Sequence, residues 1–237
     1  MRRVLLLGGA GLALLAAGIG TGWVLHRPPA MNARAYAQNR LIAVQVHLDE
    51  APAGYVFLAG DSQSELESPA QRPCGTELVN GGVSGSSAAV YADLVATLTF
   101  RRRARAAALT IGTNDLMAKN KPLGPDATAR FDASAERILR TLMANTDRLV
   151  VTAVPPVGRE LARWLEPAAV AHYSERLRAL CGRLGCVFAD PFAELRDGDT
   201  GFARPGALRD GLHLARYRPV MDALAPVLCP PRPASAP

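Results

Sequence analysis

The sequence predicts one three-layer α/β/α domain on a five-stranded parallel sheet, preceded by a single N-terminal transmembrane helix. Three observations predict this. Short apolar runs recur five times along the chain. Segments with helical spacing separate them, and Val4 to Leu25 carries no charged residue. The runs are continuously apolar rather than alternating, as strands buried on both faces of a parallel sheet are. Strand–helix alternation of this kind implies right-handed crossovers and a doubly wound layer.

A bilayer-crossing helix needs about 20 apolar residues, which Val4 to Leu25 supplies. Arg2 and Arg3 precede it, so the positive-inside rule sends the rest of the chain across the membrane. The competing reading is a signal peptide cleaved near Ala17 or Gly22; both readings export the remainder of the chain. Residues 1–30 are therefore read as the anchor, 31–50 as a linker with a juxtamembrane helix, 51–228 as the domain, and 229–237 as a proline-rich tail. The strands are expected at Tyr55–Gly60, Glu77–Asn80, Ala106–Gly112, Arg148–Val154 and Cys186–Asp190. Helices are expected near Ser87–Phe100, Ala127–Asn145, Pro167–Leu184 and Ala215–Leu228, with apolar spacing such as Phe131, Ala135, Ile138, Leu139 and Leu142.

The chain is 49% hydrophobic and 20% charged, which excludes disorder and collagen-like structure. Its net charge of +6 is almost all arginine, since Lys119 and Lys121 are the only lysines. The run Arg101-Arg-Arg-Ala-Arg reads as a solvated helix C-terminus. Export argues against a nucleic-acid partner. Export also makes disulfides plausible among Cys74, Cys181, Cys186 and Cys229. Cys181 and Cys186 are close enough to pair across a turn, leaving Cys74 with Cys229, but four cysteines allow three pairings and four buried thiols are the alternative. Neither these cysteines nor Asp115, Asp126 and Asp132 have metal-ligand spacing.

In doubly wound sheets, ligands sit beyond the carboxyl ends of the strands. After the first run, Gly60-Asp61-Ser62 places a hydroxyl at the start of a helix. A serine is a weak nucleophile that needs a base, and the base needs a third group to orient it. His26, His47 and His172 have no acid arranged to do this, whereas His213 follows Asp210 by three residues. After the second run, Asn80-Gly81-Gly82-Val83-Ser84-Gly85 offers a glycine whose backbone can approach a ligand. After the third, Gly112-Thr113-Asn114-Asp115 offers the Asn114 amide.

These four segments, in this order, resemble the blocks of the SGNH (GDSL) hydrolase family, over roughly Val56 to Leu228. The resemblance implies a flavodoxin-like fold, with Ser62 as nucleophile, Asp210 and His213 completing a triad, and an oxyanion hole from Ser62, Gly82 and Asn114, with Gly81 the less favoured alternative for the glycine. It implies carboxylic-ester hydrolysis through an acyl-enzyme, with no metal or cofactor and a small-molecule or glycan ester as substrate. Two other functions are compatible with the pattern: an O-acyltransferase acting on envelope glycans, and a catalytically inactive, membrane-tethered binding or assembly protein. The chain departs from the family after His213, where it reads Leu214-Ala-Arg-Tyr-Arg-Pro, and after Ser62, where Pro69 and Pro73 shorten the helix.

Overall fold

The computed structural model describes residues 32–68 and 71–230. The expected transmembrane helix lies outside them, and none of the helices among the described residues is long and apolar enough to cross a membrane. Of the described residues, 32–36 belong to one unit and those from Ala37 onward to another. In the first, Asn32 caps the chain's first described turn, its side chain accepting from the Ala35 N–H.

The elements are α1 (Ala33–Glu50), β1 (Val56–Gly60), α2 (Ser62–Glu65), β2 (Leu78–Gly82), α3 (Ala88–Val95), β3 (Ala106–Thr110), α4 (Pro125–Asn145), β4 (Leu149–Thr152), α5 (Ala168–Leu184), β5 (Val187–Ala189) and α6 (Arg218–Leu228). All strand pairs are parallel, in the order β2-β1-β3-β4-β5. The strand order reverses between β1 and β3, which puts the crevice of the sheet where Ser62 and Gly112 to Asp115 emerge.

Successive side chains of a strand point to opposite faces, and two cores result. Phe57 and Ala59 of β1, with Ala107 and Leu109 of β3, face a core shared with Tyr91, Ile138, Leu142 and Leu177 of the helices. Val56, Leu58, Ala106 and Ala108 face the other side, against Val220, Met221 and Leu224 of α6. The five expected strands and four expected helices are all present, with ends shifted by a few residues. α3 stops at Val95, five residues before the expected end. Beyond it Thr97 folds back on the Leu94 carbonyl, and Thr99 exchanges two hydrogen bonds with the Gln45 side chain.

One boundary differs more. Residues 31–50 were expected to precede the domain, but from Ala37 onward α1 is part of it: Ala37, Val44 and Leu48 are buried in the first core. Only these three positions of the helix are buried, so the apolar stripe is too thin to stand out in the sequence. The arginine run also has defined work. Arg102 donates to the Ala51 carbonyl, and Arg103 reaches Asp147 and the carbonyls of Ala144 and Thr146 at the end of α4.

Two disulfides are present, Cys74–Cys229 and Cys181–Cys186, with sequence separations of 155 and 5. In the chain-entropy view a cross-link stabilises more when it closes a longer loop, by roughly 5 kcal/mol at the first separation and roughly 2 at the second. Cys74→Ser with Cys229→Ser is therefore expected to lower the denaturation midpoint clearly more than Cys181→Ser with Cys186→Ser. Equal losses in urea titrations would contradict this.

Candidate active site

Ser62 is the first residue of α2, directly after β1. Asp61 is the helix N-cap: its side chain accepts from the Gln63 N–H at 2.9 Å and from the Thr113 N–H at 3.3 Å. Asp61 thus fixes the turn that presents Ser62 and ties it to the loop after β3. Burial pushes the Asp61 carboxyl up to about 6 against these hydrogen bonds.

The structure brings Ser62, His213 and Asp210 into one hydrogen-bonded chain. His213 Nε2 lies 3.0 Å from Ser62 Oγ, and His213 Nδ1 lies 2.7 Å from Asp210 Oδ2. Asp210 Oδ1 accepts the backbone N–H groups of Leu212 and His213 at 3.0 and 2.8 Å. Desolvation alone would raise the Asp210 carboxyl, but the imidazole and these two N–H groups outweigh it and hold it at about 2. Asp210 therefore stays ionised at any ordinary pH, and an ionised carboxylate on Nδ1 fixes the tautomer that leaves Nε2 able to accept the serine proton. Of the other described histidines, His47 is exposed on α1 and His172 meets Thr128; His26 lies outside the described residues.

Gln63 is a member of this site that sequence reasoning missed. Its Nε2 donates to the Leu212 carbonyl at 2.7 Å and its Oε1 accepts from Tyr217 at 3.3 Å. The residue after the serine therefore clamps the loop that carries His213. Nothing in the sequence around a glutamine marks such a contact.

The structure gives both candidate glycines of the second block packing roles. The Gly82 N–H is committed to Asn80 Oδ1 at 3.0 Å, and a Cβ at Gly82 would lie 2.3 Å from the Glu65 nitrogen. Gly82 is there so that β2 can pass close to α2. Gly81 is likewise a packing residue, with Phe57 ring atoms occupying the place of its Cβ. Gly85 differs from both. It has φ +77° with open space around it, and its N–H has no acceptor among the described residues. Asn114 reaches the same turn, donating through Nδ2 to the Ser86 carbonyl at 3.0 Å.

Asp115 caps α3. Its carboxylate accepts the Ala88 N–H at the start of α3 at 2.9 Å. Burial first, and the charge of Asp61 in addition, raise it to about 7 in spite of that hydrogen bond. A carboxyl raised in the folded state stabilises the fold below its unfolded pKa, and that contribution is lost as pH climbs through the folded value. Asp115→Asn keeps an acceptor for Ala88 and removes this titration. Its stability relative to wild type is expected to shift in the variant's favour between pH 4 and pH 8 in urea titrations. A pH-independent difference would contradict the assignment.

A cleft of about 320 Å³ opens beside Asn114, lined among others by Ser87, Asn120, Arg130, Ser134 and Tyr173. Among the aromatic residues, Tyr173 borders this cleft, whereas Tyr55 is core and Trp164 is exposed.

A serine, histidine and aspartate joined in this way at the ends of parallel strands call for comparison with known hydrolases. Residues 52–216 match the family model of GDSL-like lipases and acylhydrolases. The chain belongs to that family. No curated protein sequence matches it significantly. Solved structures share the acylhydrolase's fold at low identity. One, provisionally described as a platelet activating factor from Streptococcus pneumonia, is 18% identical over 91% of this chain and 99% of its own, with TM-score 0.68. A GDSL-like lipase from Bacteroides thetaiotaomicron is 16% identical over 83% and 97%, with TM-score 0.59. The aryl esterase of M. smegmatis is 17% identical over 73% and 97%, with TM-score 0.54.

Proposed function

We propose that this acylhydrolase is an exported, membrane-tethered serine esterase that removes short acyl or O-acetyl groups through an acyl-Ser62 intermediate. The observation that carries the reading is the Ser62–His213–Asp210 chain, with both of its hydrogen bonds at 3.0 Å or less. In this reading Ser62 Oγ attacks the ester carbonyl while His213 Nε2 takes its proton and returns it to the leaving alcohol. Asp210 stabilises the imidazolium, and water then releases the acyl group by the same route.

The negative oxygen of the tetrahedral intermediate needs preorganised donors. The Ser62 N–H is one of the orphan donors at the start of α2. The Gly85 N–H is the second, and the Asn114 amide, which has a second hydrogen beyond the one on Ser86, is the third. Gly85 thus takes the place that the sequence pattern had given to Gly82.

The cleft beside Asn114 has a mixed lining, and its polar groups on Ser87, Asn120, Arg130 and Ser134 support a small, hydroxyl-rich ester, such as an O-acetylated sugar, over a long acyl chain. Two disulfides support an oxidising compartment. Arg2, Arg3 and the uncharged stretch from Val4 to Leu25 support the tether, with secretion after signal cleavage the alternative. An inactive scaffold has no need of the completed Ser62–His213–Asp210 chain.

The test is an ester series on the purified protein: p-nitrophenyl acetate, butyrate and octanoate, together with an acetylated polysaccharide. Acetate is expected to be the best of the three synthetic esters, with acetate released from the polysaccharide. A preference for octanoate and no release from the glycan would contradict the substrate class.

A further inference from the structure

Helix α2 carries Ser62 but has only four residues, too few to hold its own geometry. Its carbonyl end is held from outside. The Asn80 side-chain amide donates to the carbonyls of Ser64, Glu65 and Glu67 at 2.8, 3.1 and 3.0 Å. Asn80 is in turn held by a residue of α1. Arg40 Nη2 donates to the Asn80 carbonyl at 2.7 Å and to its Oδ1 at 3.2 Å, while Arg40 Nε donates to the Gly82 carbonyl at 3.0 Å. The same guanidinium lies 3.6 Å from Glu65 Oε1, and both side chains are mostly buried. The other oxygen of Glu65 accepts the Ser84 N–H, one residue before Gly85.

Arg40 therefore grips the strand end that leads into the Gly85 turn, and Glu65 joins that turn back to the helix of Ser62. We propose that Arg40 and Glu65 are positioning residues for acyl transfer: together they set the spacing between Ser62 Oγ and the Gly85 N–H. The proposal rests on reading Ser62 as nucleophile and Gly85 as oxyanion donor. A guanidinium suits the task because its planar fork spans several fixed acceptors at once, which an ammonium cannot do. With Arg40 gone, the Asn80 and Gly82 carbonyls lose a charged donor, and the Glu65 carboxylate loses its counter-charge beside the site. The Ser84–Gly85 turn is then free to drift, and a displacement of about 1 Å at a reacting centre can lower a rate about 100-fold.

The experiment compares full-length wild type, Arg40→Lys, Arg40→Ala and Glu65→Gln, purified in detergent. It measures kcat and KM for p-nitrophenyl acetate, the rate of phosphonylation by a fluorophosphonate, and the melting temperature. Arg40→Lys and Glu65→Gln are expected to stay folded, with kcat and the phosphonylation rate reduced by about 10- to 100-fold and KM within about twofold of wild type. Their double variant is expected to lose less than the product of the two single effects, because the pair acts as a unit. A merely structural role would lower melting temperature while the folded fraction kept its kcat. If Arg40→Ala does not fold, the two conservative variants decide. A kcat within twofold of wild type in both overturns the proposal. A wild-type protein that neither turns over ester nor labels contradicts the esterase reading itself, and the positioning role falls with it.

Discussion

Ser62→Ala is expected to lower kcat for p-nitrophenyl acetate by about 10⁴-fold or more while leaving the fold intact. The fold is spared because the only hydrogen bond the described structure gives Ser62 Oγ is the one to His213 Nε2. His213→Ala is expected to be nearly as severe, and the double variant no worse than either single one, since the two side chains act as one unit. The loss lies in the chemical step: without Oγ there is no acyl-enzyme, and without the imidazole nothing takes the hydroxyl proton at neutral pH. Steady-state kinetics together with melting temperatures check this. Wild-type rates in either variant would remove the triad from the mechanism.

The second large effect is at Asn114. Removing one oxyanion donor lowers turnover by about 100- to 1,000-fold in general, because the donor acts on charge that exists only in the transition state. Asn114→Ala is therefore expected to lose activity in that range through kcat, with KM changed by only a few-fold. The structure adds a second reason: the same amide holds the Ser86 carbonyl, so its loss also loosens the turn that carries Gly85. Asn114→Asp replaces the donor with a negative charge beside the developing oxyanion and is expected to be worse than alanine. A kcat within threefold of wild type for Asn114→Ala would contradict an oxyanion role for this side chain.

Most of the fold was legible because parallel strands buried on both faces leave continuous apolar runs, such as Val56 to Ala59, between amphipathic helices such as α4. The runs overshoot the strands: Ile111 and Val154 are buried beyond the last paired residues of β3 and β4. Helix α1 was placed outside the domain because Ala37, Val44 and Leu48 are too few to signal a buried face. The serine, histidine and aspartate could be found from chemistry and spacing. The glycine could not be chosen the same way. Gly82 and Gly85 look alike in sequence, and only the backbone separates a glycine needed for the close passage of Glu65 from one needed for a positive φ. Gln63 and Arg40 were invisible for a related reason. Their partners, Leu212, Asn80 and Gly82, are distant in sequence, and most of the contacts are to backbone carbonyls, which leave no trace in residue type.

The central claim is that Ser62 is the nucleophile of a working triad, and a fluorophosphonate adduct tests it most directly. Intact mass spectrometry of the treated protein, followed by peptide mapping, is expected to show a single stoichiometric adduct on Ser62. It is expected to be absent from Ser62→Ala and from protein unfolded before treatment. A native, folded protein that takes no adduct, or takes it on another residue, would contradict the account.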